Sequence, residues 1–333
     1  LRRLGGGLFF APEVPRFLLI VIAFLYGILF FSVAFLLFKD IFVLPLWAMI
    51  RYRKKIECKL PNGIIVCCIL GVSTLLSGYS LYEGLLTPPI KYVEMKFDGL
   101  PSNFDGFKIA VLADLHASAV NQAPFIDKIV DLTLQEKPDL IVLPGDIIDG
   151  RVAKHSEDVE PLRRLSAPSG VYGILGNHEY YSGYDEWIKK FDDLKLPILI
   201  NSHVKISRGE QSIYLGGIAD YSAGRRGREM PDLVKTWQDV PADGFKILLS
   251  HQPKNNRRHA ASGAALQISG HTHGGMIALM DKLLIAPSNE GVVRGGYDID
   301  GMKLYISAGA SLWSGFPLRL GVPPEITVII LKK

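Results

Sequence analysis

Cysteine is absent after residue 68: the chain's three, Cys58, Cys67 and Cys68, all fall towards its N-terminal end. Nothing downstream can form a thiolate metal site or a disulfide scaffold. The downstream part also lacks a surplus of charge. Residues 1–87 hold 9 Lys+Arg and 4 Asp+Glu of the chain's 37 and 33, which leaves 28 and 29 for residues 88–333. Nucleic-acid binding needs a basic face, so nucleic acid is not expected as a partner. No repeat of fixed spacing and no low-complexity stretch is present, which sets aside solenoids and arrays. Charge is missing altogether from Phe17–Phe38, a run close to the ~20 residues that a helix needs to cross a bilayer.

A second apolar stretch, Ile64–Leu86, is of similar length, made less oily by Ser73, Thr74, Ser77 and Gly78. Both read as transmembrane helices (17–38 and 64–86) in a membrane region of residues 1–87; the alternative for each is a buried core helix. Ile41–Ile50 is apolar but too short to span, and Pro45 would kink it, so it either extends the first helix or lies in the interface. A cleaved signal peptide fits poorly, because the first run is too long and a second follows. Arg51, Arg53, Lys54, Lys55 and Lys59 crowd the connecting loop. Such clusters stay on the cytoplasmic side. The expectation is a multi-pass protein of the cell membrane whose large C-terminal domain is extracytoplasmic. The chain begins at Leu1 rather than methionine, so its N-terminus reads as incomplete, with room for earlier membrane helices.

Thr87-Pro88-Pro89 reads as a stiff linker, and residues 88–104 as linker and first strand. Residues 105–333 have the size of one large α/β domain. Apolar, β-branched runs at Lys108–Ala113, Leu140–Pro144, Val171–Leu175, Phe245–Ser250 and Ala265–Ser269 read as strands. Helical patterns at Pro124–Gln135, Val159–Leu165 and Tyr184–Leu194 follow the first three. After Ile198 the texture turns to strands at His203–Ser207, Ser212–Ile218, Met276–Ile285, Leu304–Ala308 and Glu325–Leu331. The fold class expected is α/β, with two sheets packed as a sandwich and flanked by helices.

Each of the five apolar runs is followed at once by polar residues: Asp114-Leu-His116, Gly145-Asp146, Gly176-Asn177-His178-Glu179, His251 and Gly270-His271-Thr-His273. Strand-end loops of such a sheet gather on one edge. Carboxylates, an amide and imidazoles would therefore meet there, a ligand set for first-row transition metals. Taken singly, Gly-Asp is an ordinary turn and Asn177 would suit a helix N-cap; it is the joint occurrence that points to metal. A carboxylate such as Asp146 can bridge two cations, and seven ligands with one shared fill two sites while leaving open positions. Asp149 and Glu179 are candidate acceptors that would orient imidazoles, with surface carboxylates as the alternative. Arg225, Arg226 and Arg228 could grip a phosphate or diphosphate, or sit in a solvated loop. Ser311–Pro317 holds Trp313 and Phe316 in a loop that could meet a membrane or an acyl chain. His155, His203 and His259 lack such context and read as surface or core residues.

In full order across residues 105–333, these motifs resemble the calcineurin-like metallophosphoesterases. His271-Thr-His-Gly-Gly and Gly321-Val-Pro-Pro-Glu325-Ile326 are most similar to the membrane-associated bacterial YkuE/YaeI-like phosphodiesterase branch. The resemblance implies a β-sandwich flanked by helices and a dinuclear centre. Asp114, His116, Asp146 and His273 would surround one divalent cation, and Asp146, Asn177, His251 and His271 the other. Manganese is the first expectation, with iron or zinc as alternatives. His178 would be the catalytic, non-ligand histidine beside the substrate phosphate. Met276 departs from the pattern, where a polar residue is expected. The activity implied is hydrolysis of a phosphoester or diphosphate by a metal-activated bridging hydroxide. Two cations about 3.5–4 Å apart can clamp the attacking and leaving oxygens of such a displacement. A membrane lipid or lipid-linked diphosphate would be the substrate. The alternative is a catalytically idle member that binds a partner or lipid; retention of every ligand and of His178 argues against it.

Overall fold

A computed structural model describes residues 12–54 and 62–333. Cys58, Lys55 and Lys59 of the basic loop lie outside the described residues. The first helix, α1 (Arg16–Phe38), starts after Pro15. It continues through a π-helical turn, Lys39–Val43, into α2 (Leu44–Lys54). Pro45 explains the wide turn, because it has no N–H to return to the carbonyl four residues earlier. Ile41–Ile50 thus extends the first helix. The second apolar stretch forms α3 (Asn62–Gly84). Neither is a buried core helix: Phe17, Leu25 and Leu29 on α1 and Leu75 on α3 are all more than half exposed. Both are long and apolar enough to cross a membrane. They pack closely at Gly27, where a Cβ would sit 2.2 Å from Ser77 Oγ, and the Ser77 hydroxyl donates to the Phe24 carbonyl at 2.7 Å. Small residues allow such close approach between apolar helices.

The remaining chain forms two sheets. In the first, β1 (Ile90–Lys96), β11 (Ile326–Lys332), β2 (Lys108–Val111), β3 (Leu140–Pro144) and β4 (Val171–Ile174) lie in that order, with β2, β3 and β4 mutually parallel. In the second the order is β5 (Ser202–Arg208), β6 (Gln211–Gly217), β7 (Phe245–Leu249), β8 (Ala264–Ser269), β10 (Met302–Ile306) and β9 (Gly295–Ile299), with β6, β7, β8 and β10 parallel. The sheets face each other across a core that includes Ile109, Val142, Ile247, Leu266 and Ile329. Helices α4 (Ala123–Gln135) and α5 (Asn177–Tyr181), with α6 (Tyr184–Asp193), belong to the outer face of the first sheet, where Ile126, Ile129, Trp187 and Phe191 are buried. The expected two-sheet fold flanked by helices is what forms.

Two expectations need correction. Met276–Ile285 is not a strand: it turns sharply, with Met276 and Leu279 at positive φ, and ends in a π-helical turn at Asp281–Ile285. Its apolar residues serve another surface. Ile277 packs with Leu318 and Phe31 of α1, while Leu279 and Leu283 stay 74 % and 73 % exposed. Val159–Leu165 forms only a short 3₁₀ stretch, Glu160–Arg164, with Pro161 at its start.

Candidate metal centre

The seven side chains read as ligands leave the C-terminal ends of five parallel strands: β2 (Asp114, His116), β3 (Asp146), β4 (Asn177), β7 (His251) and β8 (His271, His273). Asp114, His116, Asp146, His271 and His273 have φ between 41° and 73°. The left-handed region costs an L-residue roughly 1–2 kcal/mol, and strain persists only where the surroundings over-determine it, characteristically at functional sites. The turns are tight enough to require glycine. At Gly145 (φ 91°) a Cβ would lie 2.7 Å from His251 Nδ1, and at Gly176 it would lie 2.2 Å from Asp146 Oδ1.

The side chains converge as two groups. The ligand atoms of Asp114, His116 and His273 lie within 4.8 Å of one another, and so do those of Asp146, His251 and His271. In the first group His116 Nε2 is 3.0 Å from His273 Nε2. In the second, His251 Nε2 is 3.1 Å from Asp146 Oδ2 and 3.1 Å from Asn177 Oδ1. Asp146 stands between the groups, its Oδ2 also 3.8 Å from His116 Nε2. Asn177 is not the N-cap of α5: Gly176 holds that position, and the Glu179 carboxylate caps it by accepting the Gly176 N–H at 2.7 Å.

Charge explains why these residues suit cations. Burial disfavours a charge on His178 and His251, but Asp149 and Asp146 outweigh it at the first and Asp146 at the second. Their pKa values rise to about 9 and about 10. His271 is pushed down to about 3, by burial and by His251. The buried carboxylates thus draw positive charge onto neighbouring imidazoles. Divalent cations would supply that charge and leave neutral nitrogens free to ligate, so the donor set fits the metals its chemistry implies.

Asp149 is fully buried, not a surface carboxylate. It contacts His116 Nδ1 at 3.0 Å and also His178 Nδ1. Gripping the far side of both rings, it can orient them. Glu179 instead braces the backbone, accepting the N–H groups of Asp146, Ile147 and Ile148 as well as Gly176. Arg226 lies over the Tyr181 ring at 5.2 Å, and Tyr181 lies 5.8 Å from His178. Arg228 is engaged by Asp185 and Tyr184. Arg225 is exposed on the same turn. Trp313 is half-buried, edge-on to His178 at 5.5 Å.

Comparison with known proteins agrees with this geometry. A family model described as calcineurin-like phosphoesterase matches residues 107–275. An uncharacterized metallophosphoesterase of Campylobacter jejuni is 31% identical over 295 residues, 87% of this chain and 76% of that one. The uncharacterized metallophosphoesterase YkuE of Bacillus subtilis is 33% identical over 281 residues, 81% of this chain and 96% of that one. The chain belongs to the calcineurin-like phosphoesterase family. It is a metal-dependent phosphoric ester hydrolase by that membership. A Danio rerio protein named as a transmembrane protein with metallophosphoesterase domain is 30% identical over 279 residues, 79% of this chain and 61% of that one.

Three residues of this phosphoesterase escape the sequence reading. Arg319 is buried, with Nη2 donating to the carbonyls of Ala308 and Ser311 and lying 3.3 Å from His273 Nδ1, while its backbone N–H donates to Ser80 of α3. Burial lowers its pKa to about 10, so it stays charged at neutral pH. Ser311 donates to the carbonyls of Asp114 and Leu115, and Asn121 to that of His116. None of the three stands at a strand end, so no pattern marked them. Met276, the departure from the family pattern, opens the apolar segment that packs on α1.

Proposed function

We propose that this phosphoesterase is anchored in the cell membrane and hydrolyses a phosphoester or diphosphate bond of a lipid-linked substrate. Asp114, His116, Asp146 and His273 would hold one divalent cation, and Asp146, Asn177, His251 and His271 the other. Bound there, the cations supply positive charge to the phosphoryl oxygens and lower the pKa of a water; manganese, iron and zinc all suit these donors. His178 belongs to neither ligand set. Held through Nδ1 by Asp149, it keeps Nε2 for substrate and would give a proton to the leaving oxygen or stabilise charge there. Arg226, at the rim beside Tyr181, would meet a second phosphate or a headgroup anion.

The observation that carries the lipid reading is where the apolar helices dock. Leu19, Ala23 and Leu81 pack with Val120 and Leu312, and Phe31 with Ile277 and Leu318. Val120 and Ile277 each lie four residues beyond a candidate ligand, His116 and His273. Leu312 follows Ser311, which is bonded to the Asp114 turn. The helix pair therefore seats on the very edge that carries the metal centre. A hydrolase of soluble esters has no need of that arrangement, whereas one acting on membrane lipids gains local concentration.

The test uses full-length, Mn²⁺-loaded protein in vesicles, offered a lipid phosphodiester, a lipid diphosphate and a soluble diester. Faster turnover of a lipid ester supports the reading. Equal or better turnover of the soluble diester by the same preparation overturns it and leaves the family chemistry standing.

A further inference from the structure

Between α1, the end of α3 and the loop Ser311–Leu320 lies a cavity of about 270 Å³ that the metal centre does not use. Its walls include Leu19, Ala23 and Tyr26 of α1, Leu81 of α3, and Leu312 and Pro317 of the loop. Among the described residues, Tyr26 and Ser314 supply the only polar side-chain atoms in the lining. A headgroup, sugar or ion buried there would lose its hydrogen bonds to water without replacement, so the cavity suits hydrocarbon.

Two continuities say which hydrocarbon. Outwards, the cavity wall runs into the exposed apolar surface of α1: Ile22 lines it and is 51 % exposed, next to Val21 at 49 % and near Leu25 at 58 %. Contacts of the globular domain with α1 run from Leu19 to Phe31, roughly 18 Å of helix at 1.5 Å per residue. That is more than half of the ~30 Å hydrocarbon core, so if α1 spans, these loops stand at the depth of acyl chains. Leu279, Leu283 and Leu284, exposed on the segment packed beside Phe31, suit the same depth. Inwards, Leu312 and Ser314 of the lining flank Trp313, which stacks on His273 at 6.4 Å and meets His178 edge-on at 5.5 Å. Ser314 Oγ donates to Asp149 at 3.5 Å. One short loop therefore borders both the cavity and the metal centre.

We propose that the cavity is an acyl-chain slot, taking one hydrocarbon tail of the lipid whose phosphoester or diphosphate is cleaved. This rests on the lipid-linked reading above and assigns it a binding site. Phe316, the second aromatic of this loop, packs edge-on against Tyr26 and Phe30 of α1 at 5.9 Å and 5.5 Å, which fixes the loop on the helix beside the slot. A tail moving from bilayer to slot goes from one apolar medium to another and gains little affinity. What the slot supplies is register, fixing how far the headgroup phosphate stands from the metal centre. Its loss should therefore fall on kcat more than on KM.

The experiment uses full-length protein in phosphatidylcholine vesicles with Mn²⁺. Ile20 also lines the slot, so Ile20→Trp fills it from α1, and Leu25→Trp, on the exposed side of the same helix and outside the lining, is the control. Substrates are long-chain and short-chain lipid phosphodiesters of one headgroup, and soluble bis(p-nitrophenyl) phosphate. Ile20→Trp should lower kcat on the long-chain ester roughly tenfold to hundredfold, leave the soluble diester unchanged and abolish any preference for the long chain; Leu25→Trp should change neither. In a second arm, a long-chain alkyl phosphate with a terminal diazirine is photolysed in the same vesicles. Cross-links to residues 19–26 and 312–317, lost in Ile20→Trp, support the slot even if no lipid ester is turned over, in which case only the substrate reading fails. Equal turnover of long and short chains with cross-links elsewhere overturns the slot, although lipid esters are cleaved. Equal loss on soluble and lipid substrates in Ile20→Trp also overturns it.

Discussion

Asp146 and His178 are separated by Oδ2–Nε2 distances of only 3.9 Å, yet the two residues should fail differently when removed. Asp146 alone reaches toward both ligand groups, so Asp146→Ala should abolish turnover and lower metal content at both positions. Elemental analysis of the purified variant checks this, and full two-metal occupancy would refute the shared role. His178→Ala should keep its metal and lose turnover by about 10²–10⁴-fold, the usual contribution of a positioned proton donor, most severely on esters with poor leaving groups. Leaving-group dependence of kcat is the readout, and equal losses would leave electrostatic stabilisation as its role. The candidate ligands could be picked out from the chain because each follows an apolar run. The left-handed backbone of five of them, and Arg319 and Ser311 behind them, were not legible, because those depend on how loops cross in space. A second histidine tests burial away from the candidate metal centre. His259 is buried, its Nδ1 2.9 Å from Gln267 Oε1 and its Nε2 3.0 Å from the Tyr221 hydroxyl, and burial lowers its pKa. The fold thus favours neutral His259. Its contribution is fully present above the unfolded value of about 6.5 and is lost as pH falls from there through the lower folded value. Thermal unfolding of wild type against His259→Gln should show a stability difference that shrinks over that acidic window and is constant above it.

Elements show where sequence reading worked and where it stopped. β2, β3, β7 and β8 appear where short β-branched runs stood, because a strand buried on both faces needs continuous apolar sequence. The same rule misassigned Met276–Ile285. That segment is also rich in apolar residues around Asp281-Lys282, but Ile277 serves α1 and Leu279 and Leu283 face outwards, and its apolar residues alone do not distinguish a sheet partner from a helix or lipid partner. Helix pairing was likewise invisible: Ser73, Ser77 and Gly78 read only as dilution of an apolar run, yet Ser73, Ser77 and Ser80 are buried. Gly27 gives the sharpest test. A Val side chain there would meet Ser77 Oγ, which already lies 2.2 Å from an added Cβ. Overpacking of this kind costs about 1–3 kcal/mol, whereas Ser77→Ala removes one interhelical hydrogen bond worth about 0.6 kcal/mol. Thermal unfolding in detergent should rank Gly27→Val well below Ser77→Ala, and the reverse order would mean that the helices do not meet at Gly27.

At the scale of the whole molecule, the apolar helices and the globular domain are not two parts joined by a linker. The sequence suggested a tether at Thr87-Pro88-Pro89; the structure adds a docked face, on which Val120, Leu312 and Leu318 are buried by α1 and α3, and Glu83 of α3 accepts the Gly321 N–H at 3.0 Å. Orientation follows from charge. With Arg51, Arg53, Lys54, Lys55 and Lys59 held on the cytoplasmic side, residues 88–333 should lie outside. A C-terminal reporter active only in the cytoplasm should therefore be silent, and its activity would reverse the topology. Docking makes a further demand. Removing residues 1–87 would uncover Val120, Ile277, Leu312, Phe316 and Leu318 together on the edge that holds the metal centre. Contiguous exposed apolar surface of that kind drives association. Residues 88–333 alone should thus aggregate in buffer, become monodisperse with a mild detergent, and then hydrolyse a soluble diester at a rate close to that of the full chain, since every proposed ligand lies beyond residue 113. Size-exclusion chromatography with and without detergent decides the first point. A fragment that is monomeric in plain buffer would mean that the helices touch the domain without covering it, and the case for a lipid substrate would lose its chief support.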